Sequence, residues 1–178
     1  GDVHFDLWGV GWTTPEVSEK KAFISVDAKI VNHTSANCQY ILSATLYDND
    51  GTKVANAVKD VSKEVAGATV SKLLMKVNKP KLWHLDSPYL YTLECELLTN
   101  GKTIDKTKTH VGFRWFDFDS NKGLKMNGNN LKIKGVCLHH DAGVLGAVVP
   151  EDVWRRRLTN LKEMGANAIR MSHNPQAP

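Results

Sequence analysis

Two short stretches concentrate the side chains able to do chemistry. Residues 138–141, "LHHD", set His139, His140 and Asp141 side by side, and residues 170–174, "RMSHN", bring Arg170, Ser172, His173 and Asn174. These groups admit three readings. His139, Asp141 and His173 offer the mixture of imidazole and carboxylate that zinc or iron sites use, although "HHD" lacks the sharper spacing of an HxH pair. The imidazoles and the Arg170 guanidinium are equally donors for sugar hydroxyls or for developing negative charge. In the third reading the groups are structural, with His140 and Asp141 fixing a loop and Arg170 making an internal ion pair. Strand alternation would put His139 and Asp141 on one face, and Arg170, Ser172 and Asn174 opposite Met171 and His173.

The elements that must position these groups are a strand, a helix and a second strand. "LKIKGVCLHH" reads as a strand, and "NAIRMSH" as another. Between them "VPEDVWRRRLTNLKEMG" reads as a helix, with Pro150 near its start, Glu151 and Asp152 in the first turn and Gly165 as its stop. Trp154, Leu158 and Leu161 fall at i, i+4 and i+7 and form its apolar stripe. Residues 131–173 therefore form one β-α-β unit, which implies a parallel sheet whose functional groups gather at the C-terminal strand ends. A (β/α)8 barrel of the kind that starts this way needs ~250 residues. Residues 131–178 are thus expected to be only its beginning, and the chain a fragment. Ile133, Val136, Ile169 and the helix stripe would then need shielding, by disorder, by folding onto the rest of the chain or by a second copy in a homo-oligomer.

Upstream, from residue 3 to about 113, short strands alternate with turns. "AFISVDAKIV" sets Ala22, Ile24, Val26, Ala28 and Ile30 against polar neighbours at period 2. "YLYTLECELL" runs into Asn100-Gly101, a type I′ hairpin signal, and "QYILSATLYD" runs into "NDGT". Weaker strands lie around Val54 to Val58 and Val70 to Val77. The expected fold is mostly β: an immunoglobulin-like antiparallel β-sandwich over 13–113, followed by the first β-α-β of a truncated (β/α)8 barrel. Residues 114–130, with Asn127-Gly128, read as a linker or small hairpin, and 131–178 as the barrel start.

Composition narrows the partners. Charged residues make up 24% of the 178, and the formal net charge of +4 is spread over scattered lysines, which argues against a nucleic-acid partner. No apolar run reaches the ~18 residues of a membrane span, and the first ten residues lack the pattern of a signal peptide. The three cysteines, Cys38, Cys95 and Cys137, form no CxxC motif and no even framework. Two strands could bring Cys38 and Cys95 together, but buried free thiols are the expectation. Trp8, Trp83 and Trp115 are expected in the core, which leaves no exposed aromatic cluster to stack sugars. The "NHT" sequon at Asn32 carries little weight.

From Gly112 to Pro178 the sequence resembles the start of the catalytic domain of glycoside hydrolase family 2, and most closely its β-galactosidases. The resemblance rests on "GFR", "NG", "KGV", "HHD", "RRL", "LKEMG", "NAIR" and "SHNP", in that order and spacing, with Gln176 where the family's usual "SHNPP" has a proline. "LWHLDSPYLYTLECEL" is similar to the end of the immunoglobulin-like domain preceding the barrel. "VHFDLWGVGWTTPE" is similar to the junction from an N-terminal β domain, so residues 1–12 are assigned to that junction.

The resemblance implies a parent that is a retaining exo-glycosidase acting on a terminal β-galactoside, in contact with its own neighbouring domains and commonly exported. Such chemistry needs two carboxylates about 5 to 5.5 Å apart. In the family these are glutamates on later strands, so the resemblance implies no catalytic residue in this chain and no hydrolysis by it alone. It implies sugar contacts for His139 and His173. Arg170 would position a catalytic glutamate, and Asp141 and Asn174 would support loops. It also implies no metal or cofactor here, magnesium being held by later residues in some members. The alternatives are a β-glucuronidase or β-mannosidase of the same family, or a stand-alone immunoglobulin-like binding or spacer module.

Overall fold

The structure is a computed structural model that describes residues 1–34, 38–63, 67–139 and 141–171, except the side chains of 38, 62 and 63. It divides into two units. The first comprises Gly1–Asp117 with Met126–Gly128, and the second Phe118–Lys125 with Asn129–Pro178.

Seven strands build the first unit: β1 (Val3–Val17), β2 (Lys21–Asn32), β3 (Cys38–Tyr47), β4 (Lys53–Lys63), β5 (Gly67–Asn78), β6 (Tyr91–Thr99) and β7 (Lys102–Val111). One sheet has the order β1-β2-β5 and the other β4-β3-β6-β7, with antiparallel pairings throughout. Period-2 patterning decides which face is buried. Ala22, Ile24, Val26, Ala28 and Ile30 of β2 are each fully buried, and Leu42, Ala44 and Leu46 of β3 and Leu93, Cys95 and Leu97 of β6 meet them in one core. Each large apolar side chain so buried contributes roughly 1.5–3 kcal/mol before the entropy of ordering it. The β6–β7 hairpin turns through Asn100 and Gly101, whose φ values of 49° and 74° are the left-handed pair that a type I′ turn requires.

Glu94 faces away from this core yet is nearly buried. Lys106 and Lys108 on β7 cover it, each ammonium 2.8 Å from one of its oxygens. The hydrogen bond from Lys106, followed by that from Lys108, holds the Glu94 carboxyl below its usual range.

At the end of the sandwich several family-motif residues converge. The Trp83 N–H donates to the Phe113 carbonyl at 2.9 Å, and a side chain at Gly112 would come within 3.1 Å of the Trp83 ring. Asn127, in a second left-handed Asn-Gly pair, accepts from the Trp115 N–H at 3.1 Å and donates Nδ2 to the Trp83 carbonyl at 2.9 Å. The Arg114 guanidinium lies over the Trp83 ring.

Two sequence expectations are corrected in this unit. Trp8 is 70% exposed, and Leu7 beside it 81%. The cause is a bulge: Phe5 pairs with Ile30 and Val10 with Ala28, so Asp6, Leu7, Trp8 and Gly9 face a single partner residue and swing outward. Trp83 and Trp115 are half-buried rather than fully in the core. Asn32 of the sequon is buried, and its Oδ1 accepts from both the Thr34 N–H and the Thr34 hydroxyl.

β8 (Phe116–Asp119), β9 (Gly123–Met126) and β10 (Asn129–Asn130) form a small sheet in the order β10-β9-β8, so the Asn127-Gly128 turn is a hairpin. In the second unit, β11 (Gly135–Leu138) and β12 (Ala168–Met171) pair in parallel, joined through α1 (Glu151–Glu163). Pro150 stands at the N-cap, and α1 ends in a Schellman motif. Gly165, at φ 91°, donates to the Lys162 carbonyl, and Ala166 donates to the Leu161 carbonyl.

The helix face differs from the expected stripe. Its half-buried residues are Val153, Trp154, Arg157 and Leu161, while Leu158 is 42% exposed. The buried face is rotated by about one residue position, so that Arg157 takes a place expected of an apolar side chain. Among the described residues, no helix is long and apolar enough to cross a membrane.

Candidate functional site

The site is built on the C-terminal ends of β11 and β12. The parallel register pairs Gly135 with Ala168, Val136 with Ile169, Cys137 with Arg170 and Leu138 with Met171. Cys137 and Arg170 therefore share a face, and His139 follows two residues after Cys137, just past the end of β11. Both His139 and Arg170 are exposed.

Register is what brings them together, and Asn167 fixes it. Its side chain behaves like an extra peptide unit: Oδ1 accepts from the Lys134 N–H at 2.8 Å, and Nδ2 donates to the Lys132 carbonyl at 2.9 Å. Its own N–H donates to the Lys134 carbonyl. A slip of one residue would flip Cys137 and Arg170 to opposite faces, and these three bonds oppose it.

Beyond Leu138 the chain turns, and Asp141 organises the turn. Its Oδ1 accepts from the Gly143 N–H at 2.8 Å, an Asx-type turn, and its carbonyl accepts from Arg157 Nη1 at 2.6 Å. Gly143 and Gly146 then adopt φ of 62° and 65°, conformations that other residues rarely take. His140, His173 and Asn174 lie outside the described residues.

The metal reading needs His173, which is outside the described residues, and Asp141, whose Oδ1 is engaged by the turn. Among the described residues no three His, Cys, Asp or Glu side chains gather as a cation site would need. What the two strand ends do offer is an exposed imidazole and an exposed guanidinium. That pair can donate to hydroxyl groups or to a carboxylate, but it supplies no carboxylate pair for acid/base chemistry.

Cys137 is an exposed free thiol on the same strand face as Arg170. Cys95 is a buried free thiol of the sandwich, and burial pushes its pKa up to about 12.

Sequence reasoning missed Asn167 and Arg157. Asn167 was legible as a polar residue immediately before an apolar strand, where side-chain amides commonly substitute for backbone. Arg157 had a weaker signal: it is the one of three consecutive arginines that lies three residues from Trp154.

Comparison with known proteins agrees with this architecture. The sequence model of glycosyl hydrolases family 2 matches residues 10–114, and that of the family's TIM barrel domain matches residues 120–178. A β-galactosidase of Bacteroides ovatus, BoGH2A, is 40% identical over all of this chain and 21% of its own length. A β-glucuronidase of Bacteroides fragilis is 34% identical over 72% of this chain and 19% of its own length. The crystal structure of Bacteroides uniformis β-glucuronidase 2, covalently bound to cyclophellitol-6-carboxylate aziridine, superposes with a TM-score of 0.92 at 32% identity, covering 99% of this chain and 22% of that one. The chain thus spans about a fifth of the length of these relatives. With an immunoglobulin-like sandwich followed by the first strands and helix of a barrel, and with both family models matched in order, the chain belongs to glycosyl hydrolases family 2.

Proposed function

We propose that this chain is the immunoglobulin-like domain and barrel start of a retaining exo-glycosidase that removes terminal β-galactosides. The observation that carries the reading is the parallel pairing of β11 and β12, with Arg170 on β12 and His139 just past the end of β11, at the C-terminal strand ends where barrels bind substrate. On this reading His139 hydrogen-bonds the sugar, and His173 gives a second sugar contact. Arg170 holds a catalytic glutamate through a charge-assisted bond, while Asp141 and Asn174 support their loops. The galactoside assignment is supported by the 40% identity to a β-galactosidase over the whole chain.

A second reading, a β-glucuronidase, is favoured by the relatives of that name at 34% and 32% identity. Rates of the full-length protein on nitrophenyl galactoside, glucuronide and mannoside distinguish them. The galactoside should be hydrolysed fastest, and preference for either of the others overturns the assignment.

The 178 residues by themselves should be inactive. A retaining mechanism uses two carboxylates, and the only one in the described cluster, Asp141, is committed to its turn. Turnover of any of the three substrates by the isolated chain would refute this. The cluster also needs no metal or cofactor for the role proposed, since hydrogen bonding alone performs it; stoichiometric zinc or iron in the purified chain would contradict it.

A further inference from the structure

We propose that the outer face of the β4-β3-β6-β7 sheet carries a binding site for a neutral sugar ring, built on the cross-strand row Tyr47, Thr92 and His110. The row lies wholly in the sandwich unit, so the role of His139 has no bearing on it. Register sets the row: Tyr47 of β3 pairs with Thr92 of β6, and Thr92 with His110 of β7. Their chain neighbours Leu46, Tyr91, Leu93 and Val111 are buried in the core, so alternation turns these three side chains to the other face. Together with the β3–β4 turn at Asp48 they line a depression of about 590 Å³, a size that suits a small ligand. The turn is firmly made. Asp48 Oδ1 accepts from the Asp50 and Thr52 N–H groups, and the Asn49 N–H donates to the Tyr89 hydroxyl.

The chemistry of the lining selects the ligand. Among the described residues, the side chains of Tyr47, Thr92 and His110 spend no hydrogen bond, ion pair or ring contact on the protein. Two hydroxyls and an imidazole can both donate and accept, which is what a ring bearing several hydroxyls asks of its partners. Tyr47 also offers an apolar ring beside its polar tip, as a sugar offers C–H faces beside its hydroxyls. Neighbouring strands stand ~4.8 Å apart, so Tyr47 and His110 are about 10 Å apart with Thr92 between them. One pyranose ring with a hydrogen bond of about 2.8 Å on either side fills that distance. The adjoining row argues against a charged ligand. Lys108 meets Glu94 at 2.8 Å and Asp48 adds a second carboxylate, so no surplus of lysine charge is left to draw an anion. Both Glu94 oxygens are held by ammonium groups, which leaves no carboxylate pair open to a cation.

Hydrogen exchange of the full-length protein, read peptide by peptide, tests this, because it locates a bound sugar even where a second site also takes one. The probes are methyl β-D-galactopyranoside and methyl β-D-glucopyranoside, with glucuronate and inorganic phosphate as charged counterparts. At least one neutral sugar should slow exchange in the turn peptide covering residues 47–52. Thr92→Val keeps the side-chain shape and removes one hydroxyl; it should raise the half-saturating sugar concentration about threefold to tenfold. Tyr47→Ala should abolish the protection, and the melting temperature of each variant is measured alongside. If Tyr47→Ala unfolds the sheet, the conservative Thr92→Val decides. Absence of protection at 47–52 with both neutral sugars overturns the proposal. Protection that Thr92→Val leaves unchanged overturns it too, and protection by glucuronate or phosphate alone overturns the neutral-sugar class.

Discussion

The sandwich and the β-α-β unit solve different problems with the same chain. Every described buried residue belongs to the first unit, from Phe5 to Asn127, and the second unit has none. The candidate site lies entirely in the second. Apolar burial fixes the first unit, whereas directional polar contacts at Asn167, Asp141 and Arg157 fix the second.

The comparison breaks first at the core. Leu97 is fully buried, and Leu97→Ala should destabilise the sandwich by about 2–5 kcal/mol in urea titration. A loss below about 1 kcal/mol would mean that burial does not govern this unit. Next is Asn127, whose amide serves both Trp115 and Trp83. Asn127→Ala leaves the Trp83 carbonyl without that donor and should cost about 1–3 kcal/mol, read in the same titration.

Asn167→Ala is the corresponding test of the second unit. It removes two side-chain hydrogen bonds at a half-buried position and should cost about 1 kcal/mol. Amide exchange over residues 135–138 should accelerate, and an unchanged rate would argue that strand pairing alone sets the register.

Acid provides a milder probe. The folded Glu94 carboxyl sits below its usual 4.5. Its contribution is therefore complete at neutral pH and disappears as pH falls from the unfolded value through the lower folded one. Glu94→Gln should flatten stability over that window, and an identical acid profile for the two proteins would exclude the pair with Lys106 and Lys108 as the cause. The smallest effect is chemical. A maleimide should label exposed Cys137 in the native protein and leave Cys95 untouched, because burial keeps that thiol protonated and inaccessible. Mass mapping of labelled peptides decides it.

Much of the fold was legible because two periodicities are hard to mistake. The alternation in "AFISVDAKIV" is the buried face of β2, and Asn100-Gly101 is the turn its residue types demand. The helix limits were equally readable from Pro150, the first-turn acids and Gly165. Trp8 was not, because a bulge depends on how many residues the partner strand opposes, and β1 alone does not reveal it. Leu158 and Arg157 were misjudged for a related reason: a stripe drawn at i, i+4 and i+7 has an uncertain rotation of about one residue, enough to exchange an arginine for a leucine.

The sequence by itself determined the sandwich, the β-α-β order and the two polar clusters at the strand ends, since local patterning and turn chemistry act over a few residues. Only the tertiary structure decided that Cys137 and Arg170 share a face, because that depends on the register between strands separated by a whole helix. It also decided that Arg157 closes on the loop and that Asn167 locks the strands. Such contacts join residues sixteen and more than thirty positions apart, and no periodicity within either segment records the distance between them.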